Sequence, residues 1–280
     1  METQPVNSDV AIMPNQSKAG WRQINNLKLT LFLIPLLLVR LYEDGSVNFL
    51  QRILLLITVF AVAYGWSAIF AKRAFKKPSI DQLYFAILFT VFLPAQVGWG
   101  GAILAASFGW IFAHEVFGAK GFISPALLAL AFGIFSFSSD AYEIKSLFFA
   151  KFNLALALAC LPVFLWMLWV DVLSRRVVIG ALLGVGIAVA TLSAPQAPLW
   201  WEHLILGTFF PGILFIAASY QTAPHTPQAQ WIYGAIVGGL IITIRLSNPT
   251  QPDGVVFALL LGSLIAPLID RAIGWRPSHE

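Results

Sequence analysis

Residues 114–132 read HEVFGAKGFISPALLALAF. A long apolar run stops here, turns through Gly118, Gly121 and Pro125, and resumes as a second apolar run. His114, Glu115, Lys120 and Ser124 lie between two segments that otherwise have no affinity for water. Such a break marks a chain turning at the edge of a membrane, because backbone N–H and C=O groups in lipid must be satisfied within the protein. The rest of the chain agrees: of 280 residues, 59% are hydrophobic and 11% charged, with mean hydropathy +0.80. A soluble domain is roughly 45–50% apolar and 25% charged. A soluble fold of this size cannot hide so much apolar surface, so composition predicts an all-α polytopic membrane protein.

An apolar stretch of about 20 residues spans a bilayer, and a shorter one implies tilt, re-entry or burial between neighbours. By that measure about ten segments appear: 27–42, 48–71, 83–94, 101–117, 122–137, 148–170, 177–192, 203–219, 232–244 and 254–269. The third, LYFAILFTVFLP, is too short to cross alone and ends at Pro94 before Gly98-Trp99-Gly100-Gly101. The eighth is interrupted by Pro211-Gly212. Broken backbone at membrane depth survives only when buried in protein or lining a cavity. One interrupted segment in each half predicts an inverted five-plus-five repeat around a central site. Small-residue helix packing explains the same glycines without a ligand.

Residues 1–26 are polar and carry no signal-peptide core, which predicts a disordered cytoplasmic tail. The membrane domain is expected over 27–272, with a second short tail at 273–280. Placing both termini inside leaves most Lys and Arg, including the KRAFKK run at 72–77, on the cytoplasmic side, as the positive-inside rule requires. The outer connections then hold Arg40, Arg52, Lys145, Lys151 and Arg245.

The net charge of +4 is dispersed over loops, with no dense basic face for nucleic acid. The single cysteine, Cys160, excludes an internal disulfide and reads as a buried thiol. Trp99, Trp166, Trp169, Trp200, Trp201, Trp231 and Trp275 stand at the ends of apolar runs, as in an interfacial aromatic belt. His114, His203, His225 and His279 are scattered, and no Walker loop, HExxH, nucleophile triad or Cys/His metal cluster is present. They read as solvated or interfacial side chains. His114 and Glu115 are candidates for a polar pathway carrying protons or cations; a snorkelling interfacial pair is the alternative. Arg245 and Asp253 read as an ion pair, and Asp270 as a solvated terminus or a partner contact.

Residues 259–270, LLLGSLIAPLID, follow Asn248-Pro249 and Pro252-Asp253-Gly254. They resemble the closing span of RnfD from the Rnf complex and of its relative NqrB, where NP, then EG, then APL(F/I)D ends the chain. Residues 230–245, QWIYGAIVGGLIITIR, resemble the span before it. Residues 114–126 resemble the family's KEVFGG…NPA turn, with Ser124-Pro125 at the Asn-Pro position. The resemblance implies a ten-span inverted repeat similar to urea transporters, residing in a bacterial inner membrane and passing electrons within a multi-subunit complex.

Two elements depart from that pattern. The family's outer loop after the fifth span carries an SGAT motif whose Thr holds flavin mononucleotide as a phosphoester. Here the loop is SSDAYEIKSL, 138–147, with no threonine. Covalent FMN is therefore not expected, and the implied cofactor is non-covalent flavin (FMN or riboflavin) or a quinone. The family's AT-Asp-Pro turn after the eighth span stands here as Ala217-Ala218-Ser219-Tyr220. Ser124, Pro125, Ser219 and Tyr220 are thus the candidate cofactor-binding residues. The expected partners are the lipid bilayer and other membrane or redox subunits. Three functions fit the chain: an electron-transfer protein within such a complex, a small-solute or ion transporter or channel on the same scaffold, and a non-catalytic scaffold resembling shortened relatives in enediyne biosynthetic clusters.

Overall fold

The computed structural model describes residues 18–70, 79–93, 98–117, 123–137, 154–192, 199–247 and 254–274. Helices dominate, and the described residues contain no strand; an isolated antiparallel bridge joins Leu173 and Ser219. Among the described residues five helices are long and apolar enough to cross a membrane: Ile24–Gly45, Asn48–Phe70, Arg175–Leu192, Pro227–Ser247 and Val255–Ala272. Together with shorter apolar helices they make this a multi-pass membrane protein. Trp166, Trp169 and Trp200 are well exposed, as residues of an aromatic belt are.

The first two spans form one helical stretch, α1 (Lys18–Phe70), broken at Gly45. Gly45 has φ 69° and ψ 179°, which side chains other than glycine's rarely adopt. Because α1 begins at Lys18, the last residues of the expected tail are already helical, and Asn25 and Asn26 are buried.

Helix α2 (Ile80–Phe92) is the third segment, and it sits at the centre: every residue from Tyr84 to Phe92 is buried. It starts at Ser79, whose N–H donates to Gln82 Oε1 at 2.9 Å. Its far end leaves helix-terminal carbonyls inside the protein, where an unpaired acceptor costs about 1–3 kcal/mol. Two arginines from α1 satisfy them. Arg40 Nε donates to Val91 O at 3.1 Å, and Arg52 donates to the carbonyls of Thr90 and Leu93, the latter at 3.0 Å. Glu43 pairs with Arg40 at 3.0 Å, and Asp44 pairs with Arg52. Both arginines, expected as outer-loop charges, are therefore buried at 1% and 0% exposure. Their fixed charge is compensated by the acidic residues next to the break.

Gly98 is the N-cap of α3 (Trp99–Trp110), so Gly98-Trp99-Gly100-Gly101 is a helix start. This helix widens into a π-helical stretch, Ile111–Val116, and α4 (Pro125–Ser136) returns with Pro125 in its first turn. The second half comprises α5 (Leu154–Trp169), α6 (Arg175–Leu192), α7 (Trp200–Ile205), α8 (Phe209–Pro211), α9 (Pro227–Ser247) and α10 (Val255–Ala272). The eighth segment is interrupted, but at Gly207 (φ 65°), between α7 and α8; Pro211 and Gly212, where the break was expected, are helical. From α8 the chain continues into a second π-helical stretch, Gly212–Ala217, which is entirely buried. Tyr84 of α2 donates to Phe215 O at 2.8 Å, so the short segments of the two halves meet.

Helices α6 and α9 cross on reciprocal glycines. A Cβ on Gly184 would lie 2.1 Å from Ala235 O, and one on Gly238 would lie 2.1 Å from Ala181 O. Gly180 and Gly234 make the same kind of close approach. Small residues spaced by four let backbones touch where lipid supplies no hydrophobic drive. Gly212 packs against Val255 and Leu259 of α10. Its missing side chain therefore serves helix packing.

Candidate functional site

Two π-helical ends point to the same region. A π turn inserts one residue and aims side chains that a regular helix would place elsewhere. The first carries His114 and Glu115, just before the turn singled out in the sequence. The second ends at Ala217, just before Ser219 and Tyr220.

A narrow cleft opens between these regions. His114, Ser124 and Pro125 line it from the first turn, and Gln221 from the second. Asn26 of α1, Asp81 and Tyr84 of α2, and Trp110 of α3 complete the polar and aromatic lining. Along one side Gln221 Nε2 donates to Asn26 Oδ1 and Asn26 Nδ2 donates to Asp81 Oδ1, linking the second half to both α1 and α2.

His114 and Glu115 are held by their neighbours. His114 Nδ1 lies 3.0 Å from Glu115 Oε1. Ser67 Oγ donates to the same carboxylate oxygen at 3.4 Å and accepts from Trp110 Nε1 at 2.9 Å. The Trp110 ring stacks on His114 at 4.3 Å between centroids and contacts the Phe85 ring at 5.2 Å.

The other two expected residues are placed differently. Ser219 is buried and bridges to Leu173, while Ser174 N donates to Ala218 O at 2.9 Å. Tyr220 OH donates to Asp171 Oδ1 at 3.4 Å. Burial, and then the Asp171 carboxylate, raise the Tyr220 phenol above its ordinary pKa, so it remains a donor at neutral pH. Both residues fasten their turn to the α5–α6 connection, and the residue that reaches the cleft is the next one, Gln221. Sequence reasoning missed Gln221, Asn26, Asp81 and Trp110. The position of Trp110 inside an apolar run, away from the span ends where other tryptophans stand, was the one available signal.

Three more charged or titratable residues are buried. Arg245 is buried and donates to His203 O at 2.6 Å and Leu206 O at 2.9 Å, capping the end of α7. Its expected partner Asp253 lies outside the described residues, as do the 72–77 run and the 138–147 loop. Asp270 is buried and accepts from His225 N at 2.9 Å and from Thr226 N and Oγ1 at 3.2 Å each. That carboxylate holds the two residues that lead into α9, so Asp270 is not a solvated terminus. His203 is buried as well, away from the cleft, where an interfacial side chain was expected. Among the described residues no group of three or more His, Cys, Asp or Glu is placed to hold a metal.

Comparison with known proteins agrees with the sequence resemblance. The profile of the NQR2, RnfD, RnfE family matches residues 16–150 and 141–278. NqrB, one of the subunits of the Na(+)-translocating NADH-quinone reductase, supplies the similar relatives. That of Pseudomonas aeruginosa is 29% identical over 278 residues, covering 82% of this chain and 68% of the relative. Its counterpart in Klebsiella pneumoniae is 30% identical over 282 residues, covering 82% and 67%. That of Stutzerimonas stutzeri is 26% identical over 279 residues, covering 81% and 68%. With both halves matched by the family profile, the chain belongs to the NQR2, RnfD, RnfE family.

Proposed function

We propose that this chain is an integral membrane subunit of an Rnf/Nqr-type electron-transfer system and that the cleft between the two turns is where a quinone head group is reduced. The observation that carries the reading is the convergence of His114, Ser124, Pro125 and Gln221 on one cleft. These residues come from two turns, one in each half of the chain: the first resembles the family's, and the second stands where the family has its AT-Asp-Pro turn. The quinone named in the relatives' activity supports the choice of ligand.

The residues present fit such a group. Asn26 and Gln221 offer amide donors for carbonyl oxygens, and the Trp110–His114 stack offers a flat aromatic wall. As packed, the cleft is narrow, so a ring enters by parting the Gln221–Asn26 contact. A non-covalent flavin ring presents similar carbonyls and is the expected electron donor to the quinone; covalent attachment is disfavoured by the threonine-free loop. When bound, such a flavin supplies one- and two-electron chemistry, and the protein supplies orientation and electrostatics.

The wider architecture is part of the proposal. Residues 27–272 form ten crossings in an inverted five-plus-five repeat, with both termini in the cytoplasm of a bacterium and the chain in its inner membrane. The meeting of the two short segments through Tyr84 and Phe215 supports a shared interior. Partner proteins of the complex bring electrons to the cleft and take them away.

Purification in mild detergent tests the reading. Folded, monodisperse protein is expected to release quinone or flavin on solvent extraction, identified by absorbance and mass. A colourless preparation that releases neither, and that also binds no added quinone, contradicts it.

A further inference from the structure

We propose that His114 is the proton donor of the cleft, delivering a proton to the quinone oxygen reduced there, and that Glu115 and Ser67 position it. The inference rests on the quinone reading above. Four side chains form a closed loop: Glu115 holds His114 Nδ1 at 3.0 Å, Ser67 Oγ donates to Glu115, Trp110 Nε1 donates to Ser67, and the Trp110 ring stacks on His114. A snorkelling interfacial pair requires none of these restraints. The stack is nearly parallel, with 12° between planes, so the ring is fixed in orientation as well as position.

With Nδ1 on the carboxylate, Nε2 is the nitrogen left for exchange. Side chains of His114 and Glu115 are 20% and 19% exposed, so the ring is not sealed inside the protein. The other titratable groups lining the cleft among the described residues are Asp81 and Tyr84. Asp81 already accepts from Asn26, and the Tyr84 hydroxyl donates to Phe215 O at 2.8 Å. His114 is therefore the group on the cleft whose proton is both transferable and not engaged in holding the two halves together.

The step balances with a dihydroflavin as reductant. Quinone takes two electrons from it and two protons. One O–H bond forms as the imidazolium Nε2–H bond breaks, leaving neutral imidazole held through Nδ1–H to Glu115. The second quinone oxygen and the imidazole each take a proton from water. Oxidation of the dihydroflavin returns two protons, so the sum is dihydroflavin plus quinone giving flavin plus quinol.

The test uses the full chain in liposomes with ubiquinone-10 confined to the bilayer and dihydro-FMN added outside. The rate of quinol formation is corrected for protein-free liposomes, and ubiquinone-1 binding is followed by tryptophan fluorescence. In the wild type the rate is slower in D2O than in H2O, because a proton moves from Nε2 in the reduction step. His114→Gln weakens ubiquinone-1 binding, since its ring is part of the wall, and at saturating quinone its rate drops by roughly 100-fold and loses the isotope effect. Glu115→Gln slows the reaction while the isotope effect remains. A His114→Gln variant with wild-type rate and isotope effect at saturating quinone overturns the proton-donor assignment and leaves the quinone reading standing. Wild-type protein that binds no ubiquinone-1 overturns the quinone reading itself.

Discussion

Arg52 shows how a single residue makes a short buried helix possible. Its guanidinium holds the last carbonyls of α2 and is itself held by Asp44. Removing it leaves two acceptors and a carboxylate without their donor, inside the protein. Breaking a buried ionic contact by deleting one partner costs roughly 3–5 kcal/mol. Arg52→Met is therefore expected to lower thermal stability in detergent markedly, measured by the loss of monodisperse protein on heating, whereas substitution of the exposed Arg175 should leave it unchanged. Nothing local in the sequence announces this role. A positive charge at the end of an apolar run reads as a loop residue, and only the arrival of α2 some forty residues later gives Arg52 carbonyls to bind. Asp270 and Arg245 escape a local reading for the same reason: each serves the end of a different helix.

At the scale of elements, the crossing of α6 and α9 is the closest helix contact and rests on Gly180, Gly184, Gly234 and Gly238. Even a methyl group at Gly184 would fall 2.1 Å from a carbonyl oxygen, so the helices would have to separate. Gly184→Leu is expected to destabilise by about 1–3 kcal/mol or more, while Gly186→Leu, where an added Cβ meets nothing within 4 Å, should be tolerated. Unfolding in a denaturing detergent series compares the two. The eighth segment breaks at Gly207 and not at Pro211-Gly212, but the apolar segments themselves were legible because length and hydropathy are local properties of the chain. The π-helical stretches were not. Neither IFAHEV nor GILFIA carries a pattern that separates it from an ordinary apolar helix, and the extra residue is accommodated by the packing around it. Because those stretches set the direction of the turns that follow, the sequence located both turns but not the residue of the second that reaches the cleft, Gln221 rather than Ser219 or Tyr220.

Helix α2 and the 212–217 stretch are buried, while the long span Asn48–Phe70 keeps a broad exposed face. That arrangement follows from the bilayer: long apolar helices satisfy their own backbone in lipid, and short or broken ones need protein around them. The proposed topology with ten crossings predicts that a fluorescent protein fused after residue 280 is bright when expressed in bacteria, and that a fusion after residue 45 is dark; a dark C-terminal fusion contradicts it. The central claim is that the two turns form one redox-ligand site. Photolabelling the purified full-length protein with an azido-ubiquinone, followed by peptide mapping, tests it most directly. The account predicts adducts in the peptides covering 110–126 and 219–226, suppressed by excess ubiquinone-1. Adducts confined to other helices, or unaffected by that competitor, would contradict it.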